Sequence, residues 1–401
     1  MKLPRWFAEW MPSRKMDTLE LWKTVMGGRE TWAGRTITVE SALRVAAVLG
    51  CARVICEGVA MLPWKVYRSL GRGIAPASDH ALFPLLAHRP NSVQSAYEFV
   101  ETMMLHLVLC GGAFVWTPRV GIRRQLDQLW LFDPGWVTVR GEFGSAPSYE
   151  VRVPGRQPIT LGPDDVWHVR ALSWANYFAL EPVQLAREAL GLGMALEEGQ
   201  SRLTGRGQRG SGYVAVDGTL TGPQHKQLTE WLAKSAGAAN AETPLILDRS
   251  AKWVSTSLTN IDAQTLEQRR FQLEEVCRIM RVSPLMVGHT TAGTSTYGTV
   301  EQLFIAHDKH TIGPWVRRVE LAADARLLSA EDVALGYYTK FNEKALTRMT
   351  AADQMAYLDK AVRAGIMSRN EAREKLELNP VDGLDEHAIS APAAPAGGGN
   401  V

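Results

Sequence analysis

The sequence predicts an α+β fold, and three observations carry that prediction. Segments with apolar residues at helical spacing are interleaved with short alternating runs, and Gly or Pro punctuates the boundaries between them. With 401 residues, 46% of them hydrophobic and 21% charged, the chain can bury a large core in two or three structural units.

The first helical pattern opens at Thr38, followed by Ser41 and a run of good helix formers in which Val45, Val48, Leu49, Ala52 and Ile55 recur on one face. Pro63 stops it, and "WKVYR" then alternates as a strand. After the turn-rich "SLGRGIAPASDH" comes a second helix, "SAYEFVETMMLHLVLC", ended by a glycine pair. "AFVWTP", "LDQLWLFDP", "WVTVRG", "SYEVRVP" and "DDVWHVRAL" follow as short strands, so residues 31–175 read as an α+β unit.

From Glu181 the pattern changes. "EPVQLAREALGLGMALEEGQSRL" reads as one long helix weakened by Gly191 and Gly193, running into "TGRGQRGSG". An α/β insert follows, with strands "YVAVD", "TPLILD" and "AKWVSTSL" around the helix "TGPQHKQLTEWLAKSAG". The next helix, "DAQTLEQRRFQLEEVCRIMRV", has Asp262 as its expected N-cap and Leu266, Leu273, Cys277 and Met280 on one face. "VEQLFIAHDKHTIGPWVRRVELAADARLL" is a further long helix that Pro314 should kink. The pair "TAADQMAYLDKAVRAGI" and "SRNEAREKLEL" closes the ordered chain, with Ser368 capping the second helix and "ISAPAAPAGGGNV" as a disordered tail.

A formal net charge of +2 argues against a tight polyanion binder, although not against a protein past which DNA slides. The thirteen tryptophans suggest extensive packed or interfacial surface. Cys51, Cys56, Cys110 and Cys277 lack disulfide-framework or CxxC spacing, and read as buried thiols of a reducing cytoplasm. The start "MKLPRWFAEWMPSRK" has no apolar core of signal-peptide length, and charged residues interrupt every apolar stretch before it reaches membrane-spanning length. A soluble protein without membrane contact is expected.

The segment between the two long helices, "VSPLMVGHTTAGTSTYGTVEQ", is rich in Gly, Thr and Ser and nearly free of charge. It lacks the lysine of a phosphate-binding loop and the GxSxG spacing of a nucleophile loop, and His289 has no evident carboxylate orienter. His307 and His310 sit three apart without further metal ligands, and Asp164 and Asp165 read as turn residues. Arg202, Arg206 and Arg209 in "SRLTGRGQRGSG" suit either phosphate contact or a solvated linker after a helix. No catalytic constellation, metal site or cofactor site assembles from these residues, so no enzymatic activity is expected.

Eight segments in order carry a resemblance over residues 38 to 385. They include "SALRVAAVLGCARVICEGVAMLPWKVYR", "LLAHRPNSVQSAYEFVETMMLHLVLCGGAFVW" and "LWLFDPGWVTV". "DDVWHVRA" and "EPVQLAREALGLGMALE" continue the series. The most specific piece is "DAQTLEQRRFQLEEVCRIMRVSPLMVG" leading into "VEQLFIAHDKHTIGPWVRRVE", and "GIMSRNEAREKLELNPVDGLDEH" completes the set. The chain thereby resembles the portal (head–tail connector) proteins of long-tailed double-stranded DNA phages. It departs from the family at "CGGAFVW", where a Gly-Asn-Ala-aromatic run is usual, and at the Gly- and Arg-rich "TGRGQRGSG".

The resemblance implies a portal fold with wing, stem, clip and crown regions, assembled as a dodecameric ring around an axial DNA channel at one capsid vertex. Residues 1–30 would precede the wing of 31–180. The stem would be formed by 181–206 and 262–283, the clip by 207–261, and a channel (tunnel) loop by 284–299. Residues 300–344 would form the long kinked helix and return to the wing, 345–385 the crown helices, and 386–401 the tail. His289, Thr290, Thr291, Thr294, Ser295, Thr296 and Tyr297 would face the channel, where weak hydrogen bonders and low charge avoid gripping phosphate. The clip, carrying Lys234, Arg249 and Lys252, would dock the terminase large subunit and later the head–tail adaptor protein. The major capsid protein and scaffold would be further partners, with the ring nucleating the procapsid in the host cytoplasm and remaining in the virion. The rival readings are a DNA-binding adaptor using the three arginines and a hydrolase using His289 with a loop hydroxyl.

Overall fold

The computed structural model describes residues 31–70, 73–120, 125–141, 144–175, 177–205, 212–216, 221–223, 226, 230, 251–255, 261–289, 297–343, 351–376 and 378–387. They fall into two compact units, divided after Asn342.

Thr38 opens α1 (Val39–Leu43) through a capping box, in which Thr38 Oγ1 accepts from Ser41 N–H and Ser41 Oγ accepts from Thr38 N–H. The single helix expected from here to Pro63 is two. Arg44 and Val45 donate to Ser41 and Ala42 carbonyls, tightening the last turn, and extended Val45 begins α2 (Ala46–Ala60). Val48, Cys51, Ala52, Ile55, Cys56 and Val59 of α2 are buried, whereas Leu49, expected with them, lies at the edge of that face and is exposed.

Pro63 releases the chain into β1 (Trp64–Ser69), then β2 (Ile74–Pro76) and α3 (Leu82–Ala87). α4 (Ala96–Cys110) is capped by Ser95 and Glu98 and ends at Gly111, whose φ of 76° and an added Cβ only 2.1 Å from Leu180 O exclude other residues. Next come β3 (Gly112–Trp116), β4 (Trp130–Phe132), β5 (Val137–Arg140), β6 (Ser148–Val151), β7 (Ile159–Leu161) and β8 (Val166–Arg170). The expected helix at 181–203 is interrupted at Ala186, giving α5 (Pro182–Leu185) and α6 (Arg187–Gly205). Of the insert, β9 (Gly212–Val216) and β10 (Ala251–Ser255) pair antiparallel, while "TPLILD" lies outside the described residues. α7 (Ile261–Met280) starts before Asp262, so that residue lies inside the helix rather than at its N-cap, and its side chain is outside the described residues. α8 (Tyr297–His307) and α9 (Gly313–Arg326) precede α10 (Ala330–Ala334) and β11 (Tyr337–Phe341).

Antiparallel sheets β11–β1–β2, β8–β3–β4 and β5–β6–β7 surround the core. β11 returns more than 260 residues to pair with β1 in the register Trp64–Phe341 to Arg68–Tyr337, so the chain after α9 completes a sheet begun near residue 64. Trp64 stacks on Phe341 at 4.8 Å, beside Trp167, whose indole N–H donates to Ala322 O at 3.0 Å. Full burial of each such side chain contributes about 2–3 kcal/mol. α9 is tied to both sheets. Glu320, buried, accepts Phe341 N–H at 2.9 Å, and Arg318 donates to Arg170 O and Ala171 O at 3.0 and 2.9 Å.

The second unit holds α11 (Ala351–Arg363) and α12 (Arg369–Lys375), the latter capped as expected by Ser368 with Glu371. Buried Asn370 organises the segment that follows. Its amide donates to Val381 O and Asp385 Oδ1 at 2.9 and 2.7 Å and its carbonyl accepts Val381 N–H at 2.9 Å.

Candidate functional site

The loop singled out by its sequence follows a packed helix pair. α6 and α7 pack together, with Gly193 giving room for Gln272 and Arg269 donating to Gln200 Oε1 at 2.9 Å. α7 ends in a Schellman motif, with Val282 N–H on Cys277 O at 2.9 Å and Arg281 N–H on Arg278 O at 3.3 Å. The left-handed position of that motif is usually Gly. Here it is Arg281, at φ 57°, which costs about 1 kcal/mol.

A 3₁₀ turn, Pro284–Val287, follows and closes on left-handed Gly288. His289 N–H donates to Pro284 O at 2.9 Å, and its Nε2 lies 3.9 Å from Glu274 Oε1. Glu274 is the carboxylate neighbour that sequence reading did not supply, but the separation exceeds a hydrogen bond. Thr290, Thr291, Thr294, Ser295 and Thr296 lie outside the described residues, as does the side chain of Tyr297 at the start of α8.

The π turn beyond α8 is held to the end of α7. Between α8 and α9, Asp308–Ile312 form a π-helical turn rather than the expected kink. Pro314 has no N–H to continue an α-helical ladder, and Gly313 N–H reaches back to Asp308 O instead. The wider turn carries buried Thr311, whose hydroxyl donates to Arg281 O at 2.6 Å. Thus the αL residue that ends α7 and the π turn beyond the loop share one hydrogen bond across 30 residues.

α2 seats both turns. A Cβ on Gly50 would touch Val287 Cγ1 at 3.4 Å, and one on Gly58 would meet Ile312 Cδ1 at 2.9 Å. Between them, Cys51 Sγ lies 3.7 Å from Cys277 Sγ, and this contact, followed by burial, pushes the Cys51 thiol pKa well above its ordinary value. A cavity of about 290 Å³ separates the start of α2 from α6 and α7, with His289 at its edge. Arg281, Thr311, Gly50 and Gly58 were not found from sequence. The small residues of α2 were the available signal for the glycines, and Arg281 gave none.

The other sequence candidates do not join this base. Arg202 is paired with Glu198, a carboxylate that it shares with Arg35. Arg206, Arg209, Lys234 and Arg249 lie outside the described residues, and Lys252 is on β10 with its side chain outside them. His307 is buried in the π-turn region, its Nδ1 unpartnered, and burial holds its pKa below the ordinary imidazole value. Asp164 and Asp165 occupy a turn, as expected, with Asp164 paired to Arg326 at 3.1 Å. Among the described residues no group of three or more His, Cys, Asp or Glu side chains is placed to hold a metal, and no helix is long and apolar enough to cross a membrane.

This architecture has known counterparts. The family model described as "Phage portal protein" matches residues 46–377. A protein named "Probable portal protein" from Streptomyces phage phiC31 is 27% identical over 369 residues, covering 88% of this chain and 79% of that protein. Among solved structures, an HK97 family phage portal protein from Corynebacterium diphtheriae superposes with a TM-score of 0.59 at 13% identity, covering 79% of this chain and 99% of that one. A chain from the neck of a native gene transfer agent particle, computed with C12 symmetry, gives 0.53 at 20% identity, covering 92% and 95%. With a family match spanning most of its length, the chain belongs to the phage portal protein family.

Proposed function

We propose that the chain forms a closed ring, of twelve subunits by analogy with the C12 neck, at one vertex of a phage capsid, and that DNA is packaged and ejected through its centre. The observation that carries this reading is the portal family match over residues 46–377. The anchored loop base supports it. A channel protein needs a projecting loop that moves without dragging its supports, and here the end of α7 before the loop is bonded to the π turn that follows α8, with the 3₁₀ turn and the π turn both seated on one helix. In this reading residues 31–180 are the wing, 181–206 and 262–283 the stem, and 207–261 the clip. Residues 284–299 are the tunnel loop, and 345–385 are the crown helices.

His289, Thr290, Thr291, Thr294, Ser295, Thr296 and Tyr297 border the channel, and their near-neutral surface lets the duplex slide because each phosphate neutralised would add retention. The clip, through Lys234, Arg249 and Lys252, docks first the terminase large subunit and later the head–tail adaptor, while the capsid protein and scaffold meet the rest of the rim. The protein contributes no hydrolytic step, and ATP hydrolysis belongs to the terminase. Negative-stain imaging of the purified full chain tests the reading. Rings with a central hole are expected, and a monomer at every concentration and salt would refute it. His289→Ala should leave packaging intact, which separates the channel from the hydrolase reading.

A further inference from the structure

The four cysteines are all free, and the fold brings two of them together. Cys51 on α2 and Cys277 on α7 stand 226 positions apart in sequence, yet their Sγ atoms are 3.7 Å apart. Both residues are buried, at 0% and 1% exposure. A disulfide holds its sulfurs at about 2.05 Å, so the pair has to close by roughly 1.7 Å. The surroundings allow that approach. α2 and α7 pack together, and the cavity of about 290 Å³ beside them is lined by Ala47 and Leu273, each one helical turn before its cysteine. That space lets the helices draw closer and admits a molecule close to water in size.

The two thiols differ chemically. With Cys51 Sγ as donor, their contact holds the Cys277 thiol below its ordinary pKa, and the same contact followed by burial pushes Cys51 upward. Cys277 is therefore the nucleophile and Cys51 the resolving thiol. Burial pushes Cys56 and Cys110 up to about 12, so both stay protonated and unreactive.

We propose that Cys51 and Cys277 form a redox pair, which hydrogen peroxide converts to a disulfide joining α2 to α7. The Cys277 thiolate attacks one peroxide oxygen, and an S–O bond forms as the O–O bond breaks. The departing hydroxide takes up the proton released by Cys277 and leaves as water. Cys51 then attacks the sulfenic sulfur of Cys277, the S–S bond forms as S–O breaks, and a second water carries off the Cys51 proton. The two thiols lose two electrons and two protons, and one peroxide becomes two waters. The bond restrains the base of the 284–299 segment. α2 seats Val287 and Ile312, and Cys277 O accepts the Val282 N–H that ends α7. Its use rests on the portal reading, in which the subunit is made among cytoplasmic thiols and leaves them in the particle. Bond formation needs no ring, so it stands or falls separately from that reading.

The test treats the purified full chain with hydrogen peroxide at a dose that oxidises exposed Met61 and Met355, unfolds it in N-ethylmaleimide and maps its peptides by mass spectrometry. A linked pair of peptides holding Cys51 and Cys277 is expected, about 2 Da lighter than the two thiol peptides together and separated by dithiothreitol. Cys56 and Cys110 should carry maleimide. Maleimide on Cys51 and Cys277, a bond from either to Cys56 or Cys110, or a bond that links two chains on a non-reducing gel would overturn the proposal. Hydrogen exchange reads the restraint. Amides of residues 281–289 should exchange several-fold more slowly after peroxide and recover with dithiothreitol. In Cys51→Ala the same treatment should leave them unchanged, which separates the bond from oxidation of Met280 and Met286. Unchanged exchange in the parent, or equal slowing in Cys51→Ala, would also overturn it.

Discussion

Thr311→Val removes one hydroxyl and keeps the side chain's shape, so it isolates the bond that closes the loop base. Thr311 is 5% exposed, and its hydroxyl is the donor to Arg281 O at 2.6 Å. Losing a net hydrogen bond costs about 0.5–1.5 kcal/mol, and a carbonyl left without a partner raises that to about 1–2 kcal/mol. Arg281 is also held in a backbone conformation about 1 kcal/mol above its relaxed alternatives, and the bond from Thr311 helps keep it there. The cost therefore falls on local opening of residues 281–289. Hydrogen exchange followed by mass spectrometry on the full chain reads that opening directly, and 1.4 kcal/mol corresponds to tenfold faster exchange. Thr311→Val is expected to speed exchange of the 281–289 amides by about tenfold, while Thr311→Ser, which keeps the hydroxyl, stays near the parent rate. Parent-like exchange in the valine variant would refute the clamp.

Further outcomes follow from the same contacts. Gly58→Ala should gain about 1 kcal/mol of helix propensity but lose part of it to displacement of Ile312 Cδ1, which its Cβ meets at 2.9 Å. Urea titration should show the loss relieved when Ile312→Val removes that methyl, and additive effects would contradict the contact. Glu320→Ala leaves the buried Phe341 N–H without its acceptor and should cost about 2–3 kcal/mol, whereas Glu320→Gln keeps an acceptor and should cost under about 1 kcal/mol. Equal midpoint shifts for the two variants would contradict that role. Burial holds the His168 pKa at about 3, so the folded state stays neutral while the unfolded chain takes up a proton below about 6.5. Stability should therefore fall by about 1.4 kcal/mol per pH unit from pH 6.5 towards pH 3, with buried His106 and His307 acting in the same direction. His168→Gln should flatten that slope in denaturant titrations across pH, and an unchanged slope would rule His168 out as its source.

Much of the fold was legible because local chemistry announces itself. Thr38 and Ser368 each precede a helix as side-chain caps, Gly111 ends one where only glycine fits, and the alternation of "WKVYR" gives β1. What stayed hidden depends on contacts distant in sequence. Periodicity cannot show the break at Val45, since the residues on both sides favour helix, and the hydrogen bonds that end α1 decide it. Pro314 signals a disturbed helix, but whether it gives a kink or a π turn depends on Thr311 finding Arg281 O. The candidate site was legible as a stretch of unusual composition. Its anchorage was not, because Arg281 stands where glycine is the usual signal and the seats at Gly50 and Gly58 lie more than 200 residues earlier.

A cryo-electron microscopy map of the assembled full chain tests the central claim most directly. It should show a closed ring whose narrowest aperture is formed by residues 284–299, rising from the paired α6 and α7 helices. A map with no ring, or with a central opening bordered by residues 207–261 and the 284–299 segment away from the axis, would contradict it.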